Sequence, residues 1–210
     1  MRRLIIAIII LIAGYYECPA QLIKSYGIKV ALTSAHDGYE NIRHPDIKSK
    51  RRLGFNIGVF VEWLNDPMLS IITQVEYVQK GCGWDVNRRD EYNHDYGIVT
   101  YYRRLDYISV PIIIKFKIQT LTLTPFIMAG PRLDFLIGNH YVFDDPFSLY
   151  NMYKKNVAGA SIGIGFQTST FLNTKIMTEI RYNFDFEDSF NNGVVKTRNS
   201  SYDLWIGLSF

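Results

Sequence analysis

The sequence predicts an all-β fold, an eight-stranded antiparallel up-and-down transmembrane β-barrel. Eight segments alternate apolar and polar side chains with a period of two, which is the period of a strand with one apolar face. The connections between these segments alternate long and short, as in membrane barrels with an even number of strands. One face mixes glycine with charged residues, which suits the narrow interior of an eight-stranded barrel.

The fourth predicted strand, residues 107–119, carries the clearest pattern, and residues 107–117 read YISVPIIIKFK. One face of this segment carries Ile108, Val110, Ile112, Ile114 and Phe116. The opposite face carries Tyr107, Ser109, Pro111, Ile113, Lys115 and Lys117. An apolar face therefore lies opposite a face that bears charge.

The other seven strands are predicted at residues 22–33, 52–63, 68–80, 121–138, 156–168, 174–185 and 202–210. The fifth strand contains Pro125 and Pro131, and we expect bulges or bends there because proline lacks a ladder donor. Long polar connections are predicted at residues 34–51, 81–103, 139–155 and 186–198. The other connections are short turns, so both termini of the mature chain lie at the short-turn end.

Side-chain size decides which face of the predicted barrel points outward. The apolar face is built from Ile, Val, Leu, Phe and Tyr, as a hydrocarbon-facing band should be. The other face collects small residues beside the charged ones: Gly27, Ala31, Gly54, Gly58, Gly130, Gly159, Gly163, Gly165 and Gly207. In a soluble lipocalin-like carrier this second face would meet water, where so many glycines serve no purpose.

The charges on the predicted inward face nearly balance. We expect them to form buried ion pairs that plug the lumen, because an unpaired charge in so narrow a space is costly. The predicted network consists of Lys29, Glu62, Glu76, Lys80, Lys115, Lys117, Arg132, Asp134, Lys175, Glu179, Arg181 and Asp203. A small-solute channel lined by the same charges is the alternative.

The N-terminus has the pattern of a secretory signal peptide over residues 1–20. Arg2 and Arg3 precede about ten apolar residues, a run too short for a membrane-spanning helix. The mature domain is then residues 21–210, and loss of Arg2, Arg3 and Glu17 lowers the formal charge from +3 to +2. This near-neutral balance argues against nucleic acid as a partner. Cys82 is the one cysteine in that range, so an internal disulfide is excluded.

Several motifs resemble the PorT-like outer-membrane β-barrel proteins of Bacteroidetes-type bacteria. Residues 107–116 follow that family's pattern of tyrosine, hydrophobic, polar, hydrophobic, proline, then an apolar run to lysine and an aromatic residue. Residues 74–81 (QVEYVQKG), 129–131 (AGP) and 179–182 (EIRY) are similar to its third, fifth and seventh strands. Ser109 departs from the pattern, since relatives often carry glutamate there, and this leaves the partner of Lys115 open.

The resemblance covers essentially the whole mature chain and implies location and fold. One named member of the family is associated with protein secretion, so an accessory barrel for type IX-like export is an alternative function. The closing residues are similar to the C-terminal signal read by the barrel assembly machinery: Tyr202, Leu204, Ile206, Leu208 and Phe210.

No catalytic, cofactor or metal site is predicted. His36, His44, His94 and His140 all fall in predicted loops and lack zinc-ligand spacing. Ser34 near His36 is the nearest linear candidate for an outer-membrane enzyme, which would also need an orienting group.

The second long loop has the composition of a contact surface, because aromatic residues and arginine often anchor interfaces. Its candidate residues are Trp84, Arg88, Arg89, Tyr92 and Tyr96. Tyr101, Tyr102 and Tyr107 are alternatively members of an aromatic girdle where the barrel leaves the membrane.

These observations predict a monomeric structural or surface-interaction protein of the bacterial outer membrane. Both termini would be periplasmic, the lumen would be closed, and long extracellular loops would contact partners. The expected partners are outer-membrane lipid, the assembly machinery during biogenesis and an extracellular or envelope protein.

Overall fold

The computed structural model describes residues 23–41, 49–64, 66–89, 94–120, 123–141, 153–169, 174–191 and 195–210. The predicted signal peptide lies outside these ranges, as do His44 and Tyr92. The described residues form ten strands: β1 (Ile23–Asn41), β2 (Ser49–Trp63), β3 (Leu69–Lys80), β4 (Cys82–Arg89), β5 (Asp95–Lys117), β6 (Thr124–Tyr141), β7 (Asn156–Ser169), β8 (Lys175–Asp185), β9 (Phe190–Asn191) and β10 (Val195–Ser209). Within the described ranges, no helix is both long and apolar enough to cross a membrane.

Eight strands close a ring in the order β1, β10, β8, β7, β6, β5, β3, β2, and β2 pairs back with β1. Neighbours in the ring are antiparallel. Pairing of the first and last strands runs from Gly27 opposite Ser209 to Asn41 opposite Val195. Closure leaves the ring without an unpaired edge. The predicted eight-stranded antiparallel barrel is confirmed.

β4 continues the line of β3 beyond a sharp bend at Gly81. Gly81 has a φ of 122°, and a Cβ there would lie 2.0 Å from the carbonyl oxygen of Arg103, so only glycine fits this bend. β4 then pairs with the start of β2 and with the first part of β5. The two small strands β4 and β9 thus lengthen the barrel wall at one end.

β6 keeps a constant register with β7 through Pro125 and Pro131. That ladder is undisturbed, but on the other side the β5–β6 ladder has no pair for Gly130 or Pro131. The register shift between β5 and β6 lies instead at Asp106 and Tyr107.

Two of the predicted long connections are largely strand. β1 reaches Asn41 and β2 begins at Ser49, so the predicted loop 34–51 is mainly a ladder. The predicted loop 81–103 is the hairpin of β4 and the first part of β5. Outward side chains at these levels include polar ones such as Ser34, Lys50 and Arg51 beside Ile98 and Tyr102, so the alternation of the sequence fades while the backbone pairing continues.

The outer face of the ring carries a continuous apolar band. Bulky side chains here are roughly half exposed or more, among them Val30, Leu32, Phe55, Ile57, Ile112, Ile114, Ile127, Ile162, Ile164, Ile180, Leu204 and Ile206. The band ends near Leu32 in β1 and Leu53 in β2, and the strands continue beyond it. An exposed apolar belt of this kind is the surface that faces hydrocarbon in a membrane barrel.

We call the end with the turns 64–68, 118–123 and 170–174 the short-turn end, and the opposite end the long-connection end. Both described chain ends, Ile23 and Phe210, lie at the short-turn end. Inside the barrel, two apolar clusters separate the charged residues. One consists of Phe60, Ile72, Ile113, Phe126, Met128 and Met177. The other, nearer the long-connection end, consists of Val78, Leu105, Tyr107, Leu136, Tyr153 and Phe190.

Candidate functional site: the charged lumen

The lower layer of charge lies nearest the short-turn end and consists of Glu62, Lys115 and Lys117. The ammonium nitrogen of Lys117 is 2.8 Å from Glu62 Oε1, and that of Lys115 is 3.4 Å from Glu62 Oε2. Ser70 donates a 2.7 Å hydrogen bond to the same carboxylate. Lys115 also donates to Gln167 Oε1 at 2.9 Å. Two lysines therefore share one carboxylate. The partners of Lys115, which the sequence motif with Ser109 did not identify, are Glu62 and Gln167.

The central layer consists of Lys29, Glu76, Glu179 and Arg181. Glu76 Oε1 lies 2.6 Å from Lys29 Nζ and 2.9 Å from Arg181 Nη1, and Glu179 contacts the same two cations. Arg181 on β8 and Glu76 on β3 stand four places apart in a ring of eight, so their ion pair crosses the full width of the barrel. Two cations and two carboxylates balance within this layer.

Trp205 packs against the central layer and is fully buried. The ammonium of Lys29 lies 4.2 Å from the ring centroid, and the guanidinium of Arg181 lies 5.3 Å from it. An indole face attracts cations through its quadrupole. Trp205 thus fills the space between β10 and the two cations while stabilising their charge.

The upper layer consists of Lys80, Arg132, Asp134 and Asp185. Lys80 Nζ lies 2.5 Å from Asp134 Oδ2 and 3.0 Å from Asp185 Oδ1. Arg132 lies 3.0 Å from Asp134 Oδ2 and also contacts Asp185. Lys80 on β3 and Asp185 on β8 again join opposite walls. The charges of this layer also balance.

Ten of the twelve residues of the sequence-predicted network meet in these three layers. Asp203 is buried but accepts hydrogen bonds instead, from Thr33 at 2.5 Å, Asn183 at 2.7 Å and Asn56 at 3.2 Å. Lys175 is half-buried at the short-turn end, and no carboxylate in the described ranges pairs with it.

Sequence reasoning missed Asp185, Gln74 and Trp205 as members of these layers. Asp185 is the last residue of the predicted strand 174–185 and continues the inward alternation of Arg181 and Asn183, so carrying the alternation to the end of that strand would have found it. Gln74 accepts hydrogen bonds from Lys29 at 2.5 Å and from Arg181 at 3.2 Å.

A further ion pair lies beyond the apolar band, at the long-connection end. Arg103 Nη2 donates to Asp37 Oδ2 at 2.5 Å, and the guanidinium stands 4.8 Å from the ring centroid of Tyr153. Asp37 and Arg103 belong to segments predicted as loops, and both are buried in the barrel mouth. Burial also raises the pKa of the Cys82 thiol, which lies beside Asp37.

The predicted contact residues fall in the β4–β5 hairpin. Trp84 is half-buried and lies opposite Ser49 and Tyr101 in the ladders. Arg88 and Arg89 are in β4 and Tyr96 is in β5, which places their backbone in paired strands. Near Trp84, Asp85 accepts hydrogen bonds from Lys50 and Thr100 at 2.7 Å each, and these lower its pKa.

Tyr107 does not belong to an aromatic girdle. It is fully buried inside the barrel, with the ammonium of Lys80 4.9 Å from its ring centroid. Tyr107, Ser109 and Pro111 are each two residues apart in β5, so their side chains point to the same, inner face. Tyr102, by contrast, is exposed.

Three of the histidines lie in described segments. His36 is part-buried, with Nδ1 3.4 Å from Ser49 Oγ, and His140 Nε2 stands 3.1 Å from Asp106 Oδ2. His94 is exposed. In the described portions of the chain, no three His, Cys, Asp or Glu side chains are grouped to hold a metal ion.

The residues of the predicted C-terminal signal form the outward face of β10 and its end. Tyr202, Leu204, Ile206 and Leu208 are exposed along the strand, and Phe210 follows directly after it. Its ring stands 6.2 Å from that of Tyr26. The signal residues therefore belong to the apolar band.

A comparison with protein families identifies the fold. Residues 25–191 match the family model described as "Outer membrane protein beta-barrel domain". The chain belongs to this family. It is therefore an outer-membrane β-barrel protein, as the exposed apolar band requires. A search of curated protein sequences found no match.

Solved structures of outer-membrane barrels resemble this member of the family. OprG from Pseudomonas aeruginosa is 10% identical with a TM-score of 0.50, and the alignment covers 91% of this chain and 98% of OprG. Neisserial surface protein A is 13% identical with a TM-score of 0.45, and the alignment covers 87% of this chain and 97% of that protein. Ail of Yersinia pestis, solved with the heparin analogue sucrose octasulfate, is 14% identical with a TM-score of 0.42, covering 89% and 98%. At this identity, the likeness to OprG concerns the fold alone.

Proposed function

We propose that this outer-membrane barrel has a closed lumen and acts as a structural or surface-interaction protein through its long-connection end. The observation that carries the proposal is the stack of three charged layers. Ion pairs of the central and upper layers join opposite walls, and those of the lower layer join β5 to β2, two places apart in the ring. The chain would not be an enzyme or an open pore. Its sequence motifs favour assignment to the PorT-like, Bacteroidetes-type branch of the family.

Closure follows from how the layers are built. Each layer is nearly dry, because Lys115 in the lower layer, Arg181 in the central layer and Asp134 in the upper layer are at most 1% exposed. The first apolar cluster lies between the lower and central layers, and most of the second lies beyond the upper layer, toward the long-connection end. Separating a buried pair leaves an uncompensated charge, at a cost of about 3–5 kcal/mol. Passage of a solute would have to break several such pairs at once.

We propose that the short-turn end faces the periplasm, with both termini there. Membrane barrels of this type place tight turns on the periplasmic side and longer connections outside. The β4–β5 hairpin and the segment around β9 would then extend beyond the outer leaflet. Such a surface suits contact with an extracellular or envelope protein. The barrel would be a monomer whose apolar band contacts lipid.

An accessory role in protein export is the alternative function, and the motif at residues 107–116 favours it. It differs from the surface role in the side on which partners bind. An export accessory would contact periplasmic or membrane components, whereas a surface protein would contact partners through the β4–β5 hairpin.

Liposome swelling with the folded chain tests closure. Proteoliposomes containing the barrel should swell in isotonic sugar no faster than protein-free liposomes. Swelling at a rate comparable to that of an open porin would contradict the closed lumen and favour the channel alternative.

Cross-linking in intact envelopes tests the contact surface. A variant in which residues 87–98 are replaced by a two-residue turn should lose its cross-linked partners while the barrel still folds. Partners retained by this variant but lost on changing the turn at 118–123 would favour the export role.

A further inference from the structure

A cavity of about 310 Å³ opens at the short-turn end of the barrel, below the lower layer. Three lysines line it: Lys24, Lys117 and Lys175. Neutral hydrogen-bonding side chains complete the wall, among them Gln119, Thr124 and Ser169. The cavity therefore presents ammonium, hydroxyl and amide groups and is lined by no carboxylate in the described ranges.

The side-chain charge around this cavity is positive. In the lower layer, Lys115 and Lys117 share the single carboxylate of Glu62. Lys24 is repelled by both Lys117 and Lys175, and its ammonium donates a 2.8 Å hydrogen bond to the backbone oxygen of Asp66 rather than to a carboxylate. The neighbouring turns 118–123 and 169–174 contain no acidic residue, and the carboxylate of Asp66 in the third turn accepts hydrogen bonds from the backbone N–H groups of Met68 and Leu69. The central and upper layers balance their charges, so the excess is confined to this end.

The cavity lies at the level where the apolar band meets the membrane surface. Tyr26 and Phe210 pack together at this end of β1 and β10. Trp63, at the end of β2, donates a 2.8 Å hydrogen bond to Thr73. Aromatic residues of this kind mark the interface of a membrane barrel. A ligand in the cavity would therefore lie at the level of the lipid headgroups.

We propose that this cavity binds a phosphate group between Lys24, Lys117 and Lys175. Lysine is a common phosphate ligand, acting as a point charge, and basic pockets at membrane surfaces bind phosphate headgroups. The phosphate is either inorganic phosphate or the headgroup of an anionic phospholipid in the adjacent leaflet. The site shares Lys117 with the lower layer, but the variants used below keep Lys117, so failure of phosphate binding would leave the closed lumen and the surface role unaffected.

The test uses two variants with equal loss of charge. Lys24→Gln with Lys175→Gln removes two cations from the cavity and leaves the lower layer intact. Lys50→Gln with Lys154→Gln removes two exposed lysines at the long-connection end and is the matched control. Heat-modifiable migration on gels verifies that each full-length chain is folded in uncharged detergent. If the cavity variant does not fold, Lys175→Gln alone replaces it.

Calorimetric titration with inorganic phosphate measures the site. Wild type and control should bind phosphate saturably and with equal affinity. The cavity variant should bind phosphate at least about tenfold more weakly. No saturable binding by wild type would overturn the proposal, as would equal affinity in the cavity variant.

Competition then identifies the source of the phosphate. Short-chain phosphatidylglycerol that displaces inorganic phosphate from wild type, and binds more tightly, indicates a lipid headgroup. Inorganic phosphate that stays bound against this lipid indicates the free ion. Displacement that is equally effective on the cavity variant would contradict a site made by these lysines.

Discussion

The two faces of β5 show how one strand serves two environments. Ile112, Ile114 and Phe116 are 47–53% exposed on the outer face, while Lys115 and Lys117 are at most 2% exposed on the inner face. A soluble protein distributes these residue types the other way round. The comparison teaches that the solvent outside this barrel is hydrocarbon and that charge is tolerated inside because it is paired.

Breaking the central layer should give the largest effect. Glu76→Gln removes a carboxylate that contacts both Lys29 and Arg181, so two buried cations lose a partner. We expect a loss of about 3–5 kcal/mol in the free energy of unfolding, measured by urea titration in phospholipid vesicles. Glu187→Gln, which removes the exposed partner of Lys154, is the matched control and should cost less than about 1 kcal/mol. Equal losses of stability in the two variants would show that water screens the charges of the inner face.

A charge on the outer face should have the next largest effect. Ile206→Lys places an ammonium within the apolar band, at a cost of about 2–4 kcal/mol if the site lies near the bilayer midplane. Ile98→Lys makes the same change at an exposed site of the β4–β5 hairpin and should be nearly neutral. The same vesicle titration measures both, and a neutral Ile206→Lys would contradict the lipid-facing assignment.

Crowding of the inner wall should give a smaller effect. A Cβ at Gly130 would lie 2.0 Å from the backbone oxygen of Ile112, whereas one at Gly38 would come no closer than 3.5 Å to Arg198. Gly130→Ala should therefore destabilise the barrel by about 1–3 kcal/mol, and Gly38→Ala by much less. Thermal unfolding followed by gel mobility compares the two, and the reverse order would refute the packing argument.

The smallest effect concerns the short-turn end. Asp66 accepts hydrogen bonds from the backbone N–H groups of Leu69 and Met68, which lower its pKa below the ordinary value of 3.8. A lowered folded-state pKa adds stability that is present above the ordinary value and is lost as the pH falls through the folded value. Asp66→Asn should thus be slightly less stable than wild type at neutral pH, and the difference should disappear in acid. A difference that persists at pH 2 would show that the charge of Asp66 is irrelevant.

Alternation of side chains predicted the barrel well where it lies within the membrane. At those levels the outward residues must be apolar, so strands such as 52–63 and 174–185 stand out in the sequence. Beyond the apolar band this constraint ends, and the strands of Asp37 and Arg103 read as polar loops although their backbones remain paired.

The partners within the lumen were less predictable than the faces. The alternation of side chains places Lys29 and Glu76 on the inner face. Which carboxylate a lysine contacts, however, depends on the order and stagger of the strands around the ring. The buried Asp203 illustrates the limit, since its partners are Thr33, Asn56 and Asn183 rather than a cation. Sequence alternation carries no information on such distances across the barrel.

Collisional accessibility of spin labels on β10 tests the orientation of the barrel most directly. Labels at Leu204 and Ile206, in a chain without cysteine and reconstituted in phospholipid, should collide readily with oxygen and hardly with a water-soluble nickel complex. Labels at Lys196 and Arg198, which are exposed beyond the band, should show the opposite preference. Nickel access at Leu204 and Ile206 equal to that at Arg198 would contradict a hydrocarbon-facing outer surface.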